Sequence, residues 1–301
     1  MTLPRALLVS LRPHQWTKNL VVLAALAFSK HLFEVDAVLR AGLAFVVFCA
    51  LSGAVYLVND LSDLERDRLH PRKRLRPLAS GELSIPAARL AATLLLLAGL
   101  GASLALGPAF AAVSLTYVVL NLAYSFGLKN IVILDVLSIS LGFVLRAVAG
   151  ALAIDVRFSS WLLVCTILLA LFLSLAKRRH ELVRLDAAAG EHRQILTEYT
   201  PYLLDQMISV VTASCLTAYA FYTMAPETVA KYQTESLALT IPFVLYGILR
   251  YLYLVHRRER GGSPTDVLLT DRPLLVAVAL WAVAVVVIVY GSPGLPVPRG
   301  R

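Results

Sequence analysis

The chain has 301 residues, of which 58% are hydrophobic, and its mean hydropathy is +0.74. Soluble domains are about 45–50% apolar, so this composition excludes an ordinary soluble domain and indicates a membrane protein with several spans. The net charge of +9 has no soluble basic domain to carry it, which argues against nucleic-acid binding.

Nine apolar segments follow one another along the chain, each near the ~20 residues that a helix needs to cross ~30 Å of hydrocarbon. Each is predicted to be a helix, because backbone groups in lipid must be hydrogen-bonded within the segment. The sequence therefore predicts an all-α bundle of nine transmembrane helices, forming a single domain over residues 1–301. The segments are 20–33, 38–58, 86–106, 110–127, 132–153, 160–176, 204–225, 237–255 and 273–290.

Lysine and arginine are distributed unevenly between the two sets of loops. The N-terminus and the loops on its side, among them 59–85 and 177–203, hold 19 of these residues, whereas the opposite set holds 6. By the positive-inside rule, the N-terminus and the charged loops face the cytoplasm and the C-terminus faces outward. We therefore predict a multi-pass protein of the plasma membrane, whose basic side also attracts anionic lipid headgroups.

A cluster of charged residues follows the second apolar segment, in the stretch VNDLSDLERDRLHPRKRLRP at 58–77. If the helix continues past Asn59, each residue turns ~100° and five polar residues fall within an arc of about 100°. Such oxygen ligands suit Mg²⁺, which also takes water and phosphate oxygens. The alternative is a solvated helix end with charge pairs such as Asp63 and Arg66. The five residues are Tyr56, Asn59, Asp60, Asp63 and Asp67.

Basic side chains come directly after these acids. Lys73, Arg74 and Arg76 follow the acidic stripe within ten residues of Asp67. A metal with cations beside it is what a diphosphate requires. The alternative interpretation of this basic run is topological, as part of the positive cytoplasmic side. The sequence thus predicts a diphosphate site at the cytoplasmic edge of the membrane.

The pattern N-D-x-x-D-x-x-x-D at the end of the second apolar segment resembles the first aspartate motif of the UbiA superfamily of intramembrane prenyltransferases. The resemblance implies a helical bundle with a central cavity open to the cytoplasm, and Mg²⁺ held by this motif. Members with aromatic substrates carry a second aspartate pair after the sixth helix. Here that loop reads AKRRHELVRLDAAAGEH, and Lys177 begins a basic helix end instead. Such a site is expected to favour an anionic acceptor, unless these cations are only a positive-inside anchor.

Four further stretches resemble one branch of this superfamily. In that branch phosphoribosyl pyrophosphate (PRPP) is the donor and a polyprenyl phosphate, such as decaprenyl phosphate, is the acceptor. The resemblance implies phosphoribosyl transfer with release of diphosphate, as a step towards lipid-linked pentose (arabinose) donors and cell-wall glycans such as arabinogalactan. The stretches are LRPHQWTKN (11–19), YSFGLKNIVILD (124–135), GFVLRAVAG (142–150) and GGSPTDVLLTDRPLL (261–275).

Two other functions remain open from the sequence. One is a UbiA-type prenyltransferase that alkylates an aromatic or other small acceptor with a polyprenyl diphosphate, although the second aspartate pair is missing. The other is a transporter with Asp135 and Arg146 in its substrate path, although no internal repeat is found to support it. The superfamily resemblance also permits a homo-oligomer.

The implied reaction gives each candidate residue an expected role. Asn59 and Asp63 are expected to bridge Mg²⁺ to the diphosphate. Asp60 and Asp67 are expected to contact the ribose hydroxyls or a second ion, or to hold the metal ligands in position without binding the metal themselves. Asp60 or Asp135 is expected to steady the positive charge that develops on the sugar. Arg146, deep in the fifth segment, should face a cavity or a partner acid. The expected substrate-binding residues are Lys18, Asn19, Tyr56, Lys73, Arg74, Arg76, Tyr124, Lys129, Arg146 and Lys177.

Overall fold

The computed structural model describes residues 2–71, 73–157, 159–185, 194–257, 262 and 264–291. Within these ranges the regular structure is entirely helical, and no β-strand occurs. The chain divides into two compact units, residues 1–158 with 190–198 and residues 159–189 with 199–301. The predicted all-α class is therefore confirmed for the described part of the chain.

The first unit contains seven α-helices in its described residues. They are α1 (Leu3–Ser10), α2 (Ala24–Phe28), α3 (Val35–Ser62), α4 (Leu64–Leu69), α5 (Ile85–Ala105), α6 (Pro108–Phe126) and α7 (Leu134–Ala153). Tighter 3₁₀ turns lie between them, at Pro13–Leu23, Lys73–Leu75 and Leu128–Asn130. The helices α3, α5, α6 and α7 are long and apolar enough to cross a bilayer.

The second unit contains six α-helices in its described residues. They are α8 (Ser160–Leu185), α9 (Pro201–Met224), α10 (Pro226–Tyr232), α11 (Ile241–Arg257), α12 (Pro264–Thr270) and α13 (Arg272–Gly291). Four stretches of spanning length occur here, namely α8, α9, α13 and α11 with the 3₁₀ turn that precedes it. Asp271 caps α13, as expected for an aspartate before a helix, because its Oδ1 accepts a hydrogen bond from the Leu274 amide at 3.0 Å.

Eight helices of spanning length thus occur in the described residues, and they match eight of the nine predicted segments. Together they indicate a multi-pass membrane protein. The first predicted segment, 20–33, is different. It overlaps a 3₁₀ helix at Pro13–Leu23, hereafter the 13–23 segment, and the five-residue α2. An eleven-residue 3₁₀ run is long, since this geometry is rarely kept beyond three or four residues, so tertiary contacts must stabilise it.

One such contact is the close approach of the 13–23 segment to α7. A Cβ atom added at Gly150 would overlap the main-chain carbonyl of Val22, so this approach requires glycine. Val22 is fully buried in an apolar core with residues of α3, α6 and α7. Within that core the rings of Phe48 and Phe110 pack edge to face at 6.0 Å. The segment is therefore held against the bundle by its main chain as well as by its side chains.

A second contact is a hydrogen-bond network around Arg146, which is 6% exposed and lies about 18 Å from the start of α7. Its Nε donates to Asn19 Oδ1 at 2.8 Å, its Nη2 to the Tyr117 hydroxyl at 2.7 Å and its Nη1 to the Gly142 carbonyl at 2.9 Å. Asn19 in turn donates to Ser52 Oγ at 3.1 Å. Arg146 was expected to face a cavity or a partner acid. No carboxylate contacts it in the described ranges, and neutral acceptors solvate its charge.

We expect Gly150→Ala to lower the free energy of unfolding by about 1–3 kcal/mol, because the added methyl group forces the 13–23 segment away from α7. Thermal unfolding of the detergent-purified protein measures this loss. Gly101→Ala is the matched control, since Gly101 lies in α5 with nothing within 4 Å of an added Cβ. Equal unfolding temperatures for the two variants would contradict the close approach.

We also expect Arg146→Lys to lower the free energy of unfolding, by roughly 1–3 kcal/mol, although the charge is kept. A lysine ammonium lacks the planar fork that reaches Asn19, Tyr117 and Gly142 together, and an acceptor that loses its donor is left buried. The same thermal measurement applies, with Arg89→Lys as the control at an exposed arginine of α5. A stable Arg146→Lys protein would show that the network does not anchor the segment.

Candidate active site

The motif lies where α3 ends and α4 begins. The helix continues past Asn59 as expected, but it ends at Ser62, and Asp63 takes φ −96° and ψ 9° between the two helices. Main-chain hydrogen bonds bridge this break, from the Asp63 amide to the Asn59 carbonyl (2.9 Å) and from the Asp67 amide to the Asp63 carbonyl (2.8 Å). The polar stripe predicted on one unbroken helix is therefore shared by two helices that meet at Asp63.

Asp60 and Asp67 share one arginine. Both carboxylates are nearly buried, with exposed fractions of 3% and 2%. Arg76 Nη1 donates to Asp60 Oδ1 at 3.1 Å and to Asp67 Oδ2 at 2.5 Å. The shared donor places these two acids on the same side of the motif, as the sequence predicted. It also brings Arg76, a predicted phosphate-binding residue, directly onto the motif.

Arg12 contacts the same acid from the N-terminal side. Its Nη2 donates to Asp60 Oδ1 at 2.5 Å, and its guanidinium lies 4.9 Å from the centre of the Tyr56 ring. Arg12 was not among the candidate residues. Arg12 and Asp60 are 48 positions apart, and no periodicity links residues at that separation. Only the resemblance of the stretch 11–19 pointed to this region.

Asp63 has a different partner. Lys129 Nζ lies 2.9 Å from Asp63 Oδ1. Lys129 lies in the 3₁₀ turn Leu128–Asn130, between α6 and α7. The local pair with Arg66 that a solvated helix end would favour is not the one formed. The predicted metal ligand and the predicted phosphate-binding lysine are therefore neighbours.

An apolar cluster beneath the motif fixes the loop that returns from α4 to α5. Leu57 and Leu64 from the motif helices pack with Leu78 and Leu83 from this loop, and all four are buried. Burial of these leucines holds the loop against the motif helices. The basic residues of the loop therefore lie beside the acids of the motif. Lys73 is one of them, with its Nζ 3.8 Å from Asp67 Oδ1, whereas Arg74 is exposed.

The oxygen ligands fit a Mg²⁺ that is shared with a substrate phosphate. Within the described residues, no three carboxylate, imidazole or thiolate groups come close enough to hold a metal by themselves. Mg²⁺ is usually bound by one or two carboxylates, with water and phosphate oxygens completing its shell. Asn59 and Asp63 supply an amide and a carboxylate oxygen, and the buried Asp67 Oδ1 has no hydrogen-bond partner. This donor set suits a phosphate-bound ion and does not form an all-protein cage.

Two predicted substrate-binding residues lie deeper than the motif. Asn19 and Arg146 belong to the hydrogen-bond network described above, which reaches α3 at Ser52. Ser52 precedes Asn59 by seven residues, or about 10 Å along the helix. Their assignment to substrate phosphate stays a prediction, and the contacts that the structure shows for them are within the protein.

The remaining candidates lie at separate places. Lys18 and Tyr124 are half-buried, in the 13–23 segment and in the last turn of α6, and Asp135 is fully buried in the first turn of α7. Lys177 belongs to the second unit, where its Nζ lies 3.7 Å from Glu181 Oε1. The roles of these four residues stay predictions.

Comparison with known proteins bears on the whole chain. Residues 19–270 match the family model of the UbiA prenyltransferases. A decaprenyl-phosphate phosphoribosyltransferase from Corynebacterium glutamicum is 35% identical over 292 residues, covering 94% of this chain and 86% of the relative. One from Mycolicibacterium smegmatis is 34% identical over 297 residues, covering 95% of this chain and 93% of the relative.

The fold is also found among solved structures. A UbiA homologue from Archaeoglobus fulgidus, bound to GPP and Mg²⁺, superimposes with a TM-score of 0.72 at 20% sequence identity. The match covers 95% of this chain and 99% of the homologue. At that identity the similarity shows the fold alone, and it agrees with the helices described above. Family model, sequence relatives and fold lead to one conclusion: the chain belongs to the UbiA prenyltransferase family.

Proposed function

We propose that the protein transfers the 5-phosphoribosyl group of PRPP to a polyprenyl phosphate and releases diphosphate. The observation that carries this proposal is the 35% identity, over 94% of the chain, to a decaprenyl-phosphate phosphoribosyltransferase. The motif supports it chemically, since Asp60 pairs with Arg12 and Arg76, and Asp63 pairs with Lys129. Paired acids and cations suit a metal ion and the phosphate groups of such a donor. The product would supply lipid-linked pentose for cell-wall glycans.

The reaction is a substitution at C1 of the ribose. The bond from C1 to the diphosphate oxygen breaks, and the diphosphate leaves with the electron pair. A phosphate oxygen of the lipid forms the new bond to C1. The acceptor is already an anion at neutral pH, so the site needs no strong general base.

The residues of the motif have separate tasks in this step. Asn59 and Asp63 would hold Mg²⁺, which when bound neutralises charge on the leaving diphosphate. Lys129, beside Asp63, donates to the phosphate oxygens as their charge grows. Asp60 and Asp67 hold Arg76 in place towards the same substrate. We assign Asp135 or Asp60 to the stabilisation of the oxocarbenium-like sugar.

We further propose that this site opens to the cytoplasm through a central cavity. The excess of basic residues on the N-terminal side supports this orientation, and so does the charge of the donor, which cannot cross lipid. The 13–23 segment and α2 would complete a ninth crossing. The two units would act as one catalytic domain, since the family match at 19–270 includes residues of both.

The first test is direct transfer with the purified protein. We expect radiolabel from PRPP to enter the lipid phase when a C50 or C55 polyprenyl phosphate and Mg²⁺ are present, and EDTA to abolish this transfer. Extraction and counting of the lipid phase measure it. A protein that instead alkylates an aromatic acid with a polyprenyl diphosphate would belong with the prenyltransferases of this family, and the proposal would be wrong.

The second test concerns the metal ligand. We expect Asp63→Ala to lower the rate of transfer by at least ~100-fold, because the diphosphate loses the carboxylate that holds its counter-ion. Glu65→Ala is the control two residues away, where the exposed carboxylate pairs with Arg68 at 2.8 Å. Such surface pairs contribute little. Full activity of Asp63→Ala would remove the metal assignment, whereas equal losses in both variants would indicate a folding defect.

A further inference from the structure

Arg12 has an unusual backbone conformation. It lies between α1 and the 13–23 segment, with φ 53° and ψ 62°, in the left-handed region. Residues other than glycine rarely adopt this conformation, and a residue before proline, here Pro13, favours an extended backbone. Strain of this kind persists only where the surroundings enforce it, and it clusters at functional sites. From this backbone conformation the Arg12 side chain reaches the motif at Asp60.

The guanidinium of Arg12 is held by two contacts within the protein, and some of its N–H groups can still bind a ligand. Its Nη2 bonds to the buried Asp60 and its guanidinium lies over Tyr56. In the part of the chain that the structure describes, its Nε and Nη1 make no hydrogen bond to the protein. The side chain is 20% exposed, against 3% for Asp60. An arginine fixed through one nitrogen, with other N–H donors open, is prepared to bind two oxygens of a phosphate group with its planar guanidinium.

The charges around Arg12 leave room for an anion. Asp60 and Asp67 contribute two negative charges, and Arg12, Arg76 and Lys73 contribute three positive charges. The group therefore carries a net positive charge beside two nearly buried carboxylates. A phosphate monoester, with a charge of about −1.5 to −2 at neutral pH, would be attracted to this positive charge and would accept hydrogen bonds from the open N–H groups.

The ion pairs of this group share no residue with the ion pair assigned to the diphosphate. Asp63 pairs with Lys129, whereas Asp60 and Asp67 pair with arginines from the N-terminus and the α4–α5 loop. PRPP carries phosphate at both ends, a diphosphate on C1 and a monophosphate on C5, whereas a prenyl diphosphate carries phosphate at one end. Resting on the proposed function, we propose that Arg12, oriented by Asp60 and Tyr56, binds the 5-phosphate of PRPP and so selects a phosphorylated sugar donor.

The first experiment compares Arg12→Gln and Arg12→Gly with Arg5→Gln in the full-length enzyme. Glycine accepts the left-handed backbone, so Arg12→Gly removes the guanidinium without backbone strain, and Arg76 remains as a partner of the buried Asp60. Arg5 is an exposed arginine of α1. We expect both Arg12 variants to raise the KM for PRPP roughly 10- to 100-fold with a smaller change in kcat, and Arg5→Gln to change neither. An unchanged KM in both Arg12 variants would overturn the proposal.

The second experiment identifies which phosphate is bound. Ribose 5-phosphate and inorganic diphosphate are used as competitive inhibitors of the wild type and of Arg12→Gly. We expect the variant to lose affinity for ribose 5-phosphate by about the factor seen in KM, and to keep its affinity for diphosphate. Equal losses for the two inhibitors, or a loss for diphosphate alone, would show that Arg12 does not recognise the 5-phosphate.

A binding measurement separates this proposal from the proposed function. If the wild type transfers no phosphoribosyl group, the proposed function fails, but Arg12 is still testable by thermal unfolding with ribose 5-phosphate. Stabilisation of the wild type without stabilisation of Arg12→Gly supports a sugar-phosphate site at Arg12. Equal stabilisation of both proteins, or of neither, overturns it.

Discussion

Carboxylates buried at the end of a membrane helix must be paired, because an isolated charge there is costly to remove from water. In this protein Asp60 meets that requirement with two arginines from distant parts of the chain, Arg12 and Arg76. These ion pairs connect three parts of the chain, namely the residue that follows α1 and Leu11, the junction of α3 with α4, and the loop that leads to α5. The same charges that would bind a phosphorylated substrate therefore organise the backbone around it.

In the first unit, the contacts change from apolar to polar with increasing distance from the charged residues of the motif. Buried leucines such as Leu57 and Leu83 lie directly under the motif and hold the α4–α5 loop against it. About 10 Å deeper, by the rise of α3, polar contacts return in the network of Asn19 and Arg146. That network and the contact at Gly150 hold the 13–23 segment, and Arg12 directly precedes that segment. The orientation of a residue at the motif thus depends on packing two turns deeper.

The sequence predicted the features that follow from local rules. Lipid requires each long apolar run to be a helix, and eight runs are helices of spanning length in the described ranges. Asp60 and Asp67 were predicted to share one face of a helix, and they share Arg76 although α3 ends between them. The features that sequence reasoning missed depend on distant partners. The close approach of the 13–23 segment to α7 requires glycine at position 150, and one neutral partner of Arg146 is Asn19, 127 positions away. Local periodicity carries no signal for either.

The neutral partners of Arg146 also bear on how the protein enters the membrane. An arginine at the centre of a helix adds about 2.5–3.5 kcal/mol to the free energy of insertion, which the apolar residues of α7 must offset. The side chains of Asn19 and Tyr117, which accept its hydrogen bonds, both precede it in the chain and leave the ribosome first. When α7 is synthesised, the groups that solvate its charge are already made. The order of donor and acceptors along the chain therefore favours co-translational assembly of α7 with its earlier neighbours over insertion as an independent helix.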